Sequence, residues 1–160
     1  MRRRPAVSCV AQFRKEIVDL WHPVAATRAI DLSVDTGAVE KIRADEVQLR
    51  RALDNLVKNA IEAIDRGPGA VRIEARIPTT ERIRISVEDT GPSIPPTIEV
   101  SRLFETTKAE GTGLGLAVAR QIVLAHGGGI TVAPHTPCGT IFHVELPWSG
   151  PAIQADDRPG

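Results

Sequence analysis

Leu53-Asp54-Asn55-Leu56-Val57-Lys58-Asn59-Ala60-Ile61-Glu62-Ala63-Ile64 runs through the middle of this chain of 160 residues. Within the longer run 46–65, Val47, Leu49, Leu53, Leu56, Val57, Ala60 and Ile64 fall mostly on one face. That spacing predicts an amphipathic helix. Asp45 stands before it as a cap, with Gln48 at capping-box spacing, and Gly67-Pro68-Gly69 ends it. Asn55, Asn59 and Glu62 share a second stripe, nearly opposite the apolar one. Such a stripe is either a solvated face or a set of ligands. Asn is a mediocre helix former, and its amide carbonyl is a hard oxygen donor suited to Mg²⁺.

Helix and strand signals alternate on either side. Phe13, Ile17, Leu20, Trp21 and Val24 predict a helix over 12–29, with Pro23 as a point where it would kink or split. Residues 30–34 and 39–44 read as short strands. Val71, Ile73, Ala75 and Ile77 alternate with charged residues, as do Ile83, Ile85 and Val87, which predicts an antiparallel hairpin. A loop at 92–96 precedes a short helix ending near Phe104, and 105–112 has no apolar periodicity. A second helix over 114–126 is closed by Gly127-Gly128-Gly129, and strands follow over 130–133 and 140–146. The pattern predicts an α+β fold: a two-layer sandwich whose mixed, mostly antiparallel sheet carries helices on one face.

Composition narrows the function classes. Lys+Arg and Asp+Glu both number 20, so net charge is zero and the basic excess of a nucleic-acid binder is missing. Aromatic residues are 3% with no Tyr, which leaves little for base stacking. No run reaches the roughly 18 apolar residues of a membrane helix, so a soluble, cytoplasmic domain without membrane contact is expected. Cys9 and Cys138 are far apart and have no metal-ligand spacing. Residues 1–11 read as a linker, 12–148 as one domain and 149–160 as a flexible tail.

Two further segments carry chemistry. Glu88-Asp89-Thr90-Gly91-Pro92-Ser93-Ile94 follows a strand, where a carboxylate can face a pocket and accept a hydrogen bond from an exocyclic amine. It also reads as an ordinary Asp-Thr-Gly turn. Gly111-Thr112-Gly113-Leu114-Gly115-Leu116 opens a helix, and helix N-terminal amides suit phosphate. Packing alone also explains glycines there. No Lys-Ser/Thr pair follows, as a P-loop requires, and no strand immediately precedes it, as a dinucleotide fingerprint requires.

In this order, the segments resemble the catalytic, ATP-binding domain of histidine kinases, in the superfamily shared with DNA gyrase, Hsp90 and MutL ATPases. LDNLVKNAIEAI resembles that family's N box, VEDTGPSI its first glycine box, and SRLFETTK its F box and ATP lid. GTGLGLAVARQIVLAHGG resembles the second glycine box, and GTIFHVELP the last strand. The resemblance covers about residues 12–148. It implies the Bergerat-type ATP-binding sandwich, with ATP and Mg²⁺ as cofactors. Asn59 would ligate Mg²⁺, and Asn55 would help hold the metal or its waters. Asp89 would bind the adenine amino group, Gly91 would let the base approach, and Thr140 would support the adenine side. Lys108 would neutralise phosphate charge. Gly111, Gly113 and Gly115 would let the lid close and the helix start reach the phosphates. Ala63, Ile94, Thr106, Thr107, Thr112, Leu114 and Leu116 complete the implied ATP-binding set, and Asn55 and Lys108 the catalytic one.

The sequence departs from the pattern at Ser93, where a second Gly is usual, and in a short lid. ATP-hydrolysing relatives carry Glu at the position of Asn55, and an amide takes no proton from water. Asp54 and Glu62 are the neighbouring carboxylates. Slow hydrolysis and transfer to a protein side chain are therefore expected. None of His22, His126, His135 and His143 sits in a phosphoacceptor box. His126 would cap a helix C-terminus as a cation, and the others would be structural or surface residues. The implied function is γ-phosphoryl transfer from Mg-ATP to a His on a separate dimerisation domain, with a response regulator downstream. The alternatives are a non-catalytic nucleotide-binding or interaction module and an anti-sigma-type Ser kinase.

Overall fold

The computed structural model describes residues 6–79, 81–94, 100–104 and 112–147. Strand β1 (Ala6–Cys9) leads into helix α1 (Val10–Thr27), then β2 (Ile30–Asp35), β3 (Lys41–Ala44) and α2 (Glu46–Ile64). Strands β4 (Gly69–Thr79) and β5 (Arg82–Asp89), a 3₁₀ turn over Val100–Phe104, α3 (Thr112–Ala125), β6 (Gly129–Pro134) and β7 (Thr140–Pro147) complete the described order.

The main sheet has the order β2-β4-β5-β7-β6. Only β2–β4 is parallel; β4–β5, β5–β7 and β6–β7 are antiparallel. β1 and β3 form a separate antiparallel pair. The expected mixed, mostly antiparallel sheet is therefore present. Period-two alternation sends Ile83, Ile85 and Val87 of β5 and Phe142, Val144 and Leu146 of β7 into the core. Leu49, Leu53, Leu56, Val57, Ala60 and Ile61 of α2 meet them, with Leu116, Ala119 and Val123 of α3 and Phe13 and Ile17 of α1. Each large side chain buried this way contributes roughly 1.5–3 kcal/mol. Phe104 packs edge-on to Phe142 at 6.2 Å, which fixes the end of the 3₁₀ turn against β7.

Three differences from the sequence reading have physical causes. The 1–11 segment, expected as linker, includes β1 and the first residues of α1; β1 is defined by pairing with β3, which local periodicity does not reveal. Pro23 lies inside α1 without splitting it. Proline leaves the Asp19 carbonyl without its helical donor, and both residues are exposed, where water can serve. Leu20 and Val47, placed on apolar faces, are 46% and 50% exposed. They stand at the edge of their stripes, beyond the reach of the sheet. The α1–α2 contact is instead polar at its rim: Trp21 Nε1 donates to Asp54 Oδ1 at 2.8 Å, and Arg50 Nη1 donates to Glu16 Oε1 at 2.9 Å. Among the described residues no helix is long and apolar enough to cross a membrane.

Candidate functional site

Asp89 closes the inward-facing series Ile83, Ile85, Val87 of β5, so strand parity alone turns its carboxylate toward the helices. It is 2% exposed. Oδ1 accepts the Gly91 N–H at 2.9 Å. Burial pushes the Asp89 carboxyl above the ordinary carboxylate range, opposed by the backbone N–H groups of Gly91 and Thr140 and by nearby His135. Thr140 is the register partner of Asp89 on β7 and is itself buried. A charged acceptor held dry by backbone donors suits a neutral N–H donor such as an aromatic amine.

The polypeptide around Asp89 comes close to α2. A Cβ at Gly91 would lie 2.9 Å from the Ala63 carbonyl oxygen, so only glycine allows this approach. Pairing continues one residue past Asp89: Thr90 N–H donates to the Ala70 carbonyl at 3.2 Å, and Thr90 Oγ1 accepts Ala70 N–H at 2.9 Å. The β6–β7 turn closes the other side. His135 Nδ1 is 3.1 Å from the Asp89 carbonyl oxygen and Cys138 Sγ is 3.4 Å from that of Thr90. The Gly139 N–H donates to Ser93 Oγ at 3.1 Å. Ser93 has no positive φ, so its backbone does not need the usual glycine.

Farther along α2, Asn55 and Asn59 are half-buried. Asn55 faces the start of α3: a Cβ on Gly115 would meet Asn55 Oδ1 at 3.5 Å. Ala63 beside Gly91 and Asn55 beside Gly115 are eight residues apart, or roughly 12 Å along the helix. α2 therefore spans two chemically distinct ends, a dry carboxylate and the Asn55 amide next to a helix start, with Asn59 one turn further along the helix. Among the described residues no group of three or more His, Cys, Asp or Glu could hold a metal by itself. A hard cation here would take amide oxygens and the oxygens of a ligand, the mode in which Mg²⁺ binds with phosphates.

Neither neighbouring carboxylate is turned to the Asn55–Gly115 contact. Asp54 Oδ1 accepts from Trp21 and, at 3.2 Å, from Arg50 Nε, which removes it from the Asn55 face. Glu62 is exposed, two turns along α2 from Asn55. His126 is buried with both ring nitrogens engaged inside the protein, so the expected cationic cap is corrected to a neutral bridge. Its Nδ1 donates to the Ile122 carbonyl at 2.8 Å, and its Nε2 accepts the Asp45 N–H at 3.0 Å. His143 lies on the outer sheet face against Ser86 Oγ at 2.7 Å.

Asn55, Asn59, Ala63, Asp89, Gly91, Gly115 and Thr140 thus line one side of the sheet along α2. Ile94 is half-buried after β5, and Leu116 is buried in the core, where it supports the helix start rather than facing outward. Thr112, Gly113 and Leu114 form the first turn of α3. Thr106, Thr107, Lys108 and Gly111 lie outside the described residues. Sequence reasoning missed the 135–139 turn as part of this end; its one local signal is Gly139, at φ +112, immediately before Thr140.

The sequence and the fold both have relatives among known proteins. ZraS of Salmonella typhimurium, a sensor histidine kinase, is 40% identical over 127 residues, covering 77% of this chain and 27% of that protein. The catalytic domain of histidine kinase ThkA superposes with a TM-score of 0.79 at 29% identity, over 91% of this chain and 98% of that one. Full-length ShkA, solved in complex with AMPPNP, gives a TM-score of 0.81 at 28% identity, over 97% of this chain and 33% of that one. The chain spans about a quarter of the length of the curated relatives it matches. Residues 44–150 match the family described as Histidine kinase-, DNA gyrase B-, and HSP90-like ATPase, and the chain belongs to that family.

Proposed function

We propose that this chain is the ATP-binding catalytic domain of a two-component sensor histidine kinase. It passes the γ-phosphoryl group of Mg-ATP to a His on a dimerisation domain outside this chain, from which a response regulator is served. The observation that carries the reading is the buried Asp89 carboxylate at one end of α2, with Asn55 beside Gly115 at the other. Asp89 accepts the adenine amine, with Gly91 and Thr140 shaping the space around it. Asn59 and Asn55 offer amide oxygens to Mg²⁺, whose contribution when bound is to neutralise phosphate charge. The first turn of α3 directs free amides at the phosphates, and Lys108 adds positive charge. AMPPNP in the similar ShkA supports the choice of an adenine nucleotide.

Asn55 accepts no proton, and Asp54 is engaged by Trp21 and Arg50, so water is poorly activated and a protein acceptor is favoured over hydrolysis. Use of ATP as the donor fits a cytoplasmic location.

Calorimetry with ADP and an ATP analogue, with and without Mg²⁺, tests binding. Labelled ATP mixed with a His-bearing dimerisation domain tests transfer. An acid-labile phosphoprotein supports the kinase reading. Acid-stable label points to a Ser kinase, and binding without transfer to a non-catalytic module. No binding of either nucleotide at millimolar concentration overturns all three.

A further inference from the structure

The turn between β6 and β7 is fastened to the Asp89 segment by more than the sheet ladder. Gly139 sits at φ +112, and a Cβ there would lie 1.8 Å from the Asp89 carbonyl oxygen. The turn therefore approaches the Asp89 backbone as closely as glycine alone permits. Gly139 is buried, and its N–H finds its acceptor in Ser93 Oγ at 3.1 Å. The next residue, Thr140, is buried and is the register partner of Asp89 on β7, which brings its backbone N–H to the side of the Asp89 carboxylate. Where Gly139 sits thus determines where the Thr140 N–H points, and Ser93 determines where Gly139 sits.

We propose that Ser93 is a positioning residue for base recognition: its hydroxyl, through Gly139 and Thr140, holds the Asp89 carboxylate in line with the exocyclic amine of a purine. This rests on the nucleotide-binding reading above. It turns the departure from glycine at this position into a gain, since Ser93 adopts no positive φ and supplies an acceptor that glycine lacks. Ser93 touches neither base nor phosphate in this scheme. Its effect is confined to how well the amine is distinguished from a carbonyl at the same place on the ring.

The test compares the wild-type chain with Ser93→Gly, Ser93→Ala and Ser93→Thr. ADP and IDP, which differ in that exocyclic group, are titrated by calorimetry, and exchange of the Gly139 amide is followed without nucleotide. Ser93→Gly and Ser93→Ala are expected to weaken ADP about five- to tenfold, the worth of one well-placed hydrogen bond, and IDP far less. Their Gly139 amide exchanges faster, and Ser93→Thr retains wild-type behaviour in each readout. ADP affinity within about twofold of wild type in both truncations overturns the proposal, as does equal weakening of ADP and IDP. In either case wild-type ADP binding leaves the nucleotide reading standing. If the wild-type chain binds neither nucleotide, that reading falls and the proposal falls with it.

Discussion

His126, at the end of α3, accepts the backbone N–H of Asp45, the residue that caps α2. Asp45 Oδ1 in turn accepts the Gln48 N–H at 3.1 Å. In a capping box the side chain three residues on would return to the cap N–H. Here a histidine from 81 residues away does so, and one neutral tautomer serves both helices. His126→Phe leaves a buried N–H without a partner and is expected to cost roughly 1–3 kcal/mol. Asp45→Ala loses the cap for about 1 kcal/mol. Thermal unfolding of both single variants and the double variant checks this, and the double is expected to cost less than the sum.

Asp89→Asn is expected to weaken ADP roughly 10- to 100-fold, as for loss of a charged hydrogen bond. The folded-state value of this carboxyl is raised by burial, so folding favours its protonated form. Its contribution to stability is present in acid, below the ordinary carboxylate value of 3.8, and is lost as pH rises through the raised folded value. Asp89→Asn should therefore gain melting temperature relative to wild type between acid and neutral pH. A constant difference across that range would contradict the burial argument. His143 contributes the opposite slope. Burial and then Arg84 lower its value from 6.5, so the stability it confers is present above 6.5 and lost as pH falls through the lowered one.

Gly115→Ala separates fold from site. In a helix Ala is better than Gly by roughly 0.8–1 kcal/mol. The added methyl meets Asn55 at ordinary contact distance, 3.5 Å or more. The variant should melt slightly higher than wild type while binding Mg-ATP more weakly, because the methyl stands between Asn55 and the start of α3. Differential scanning fluorimetry and calorimetry on one sample check both halves.

Asp54→Ala should do the reverse. It removes the acceptor of Trp21 and Arg50 between α1 and α2 and should lower stability by about 1–2 kcal/mol. Nucleotide affinity and phosphotransfer should stay within about twofold of wild type. Loss of transfer at unchanged melting temperature would assign Asp54 to the chemistry.

What was legible in the sequence was what repeats locally. The α2 stripe and its Asp45 cap lie within four residues of their partners, and the alternation of Ile83, Ile85 and Val87 carries straight on to Asp89. The features that escaped depend on distant pairing. β1 is four residues long and exists through β3. Trp21 reaches Asp54 across 33 positions, and Gly139 reaches Ser93 across 46. Leu20 and Val47 obey the helical period but stand where the sheet has ended. Periodicity identifies a face; only the partner decides how much of it is covered.

β5 is paired on both edges, to β4 and to β7, from Arg84 to Asp89, beyond the irregularity that interrupts the β4 register at Ile83. Its amides can meet solvent only when the sheet parts, so their exchange should report the full unfolding free energy rather than a local opening. The Asp89 carboxylate, proposed to read the base, belongs to that last-surviving unit. On warming, selectivity for adenine should persist undiminished and then vanish in one step, together with the far-ultraviolet signal of the sheet.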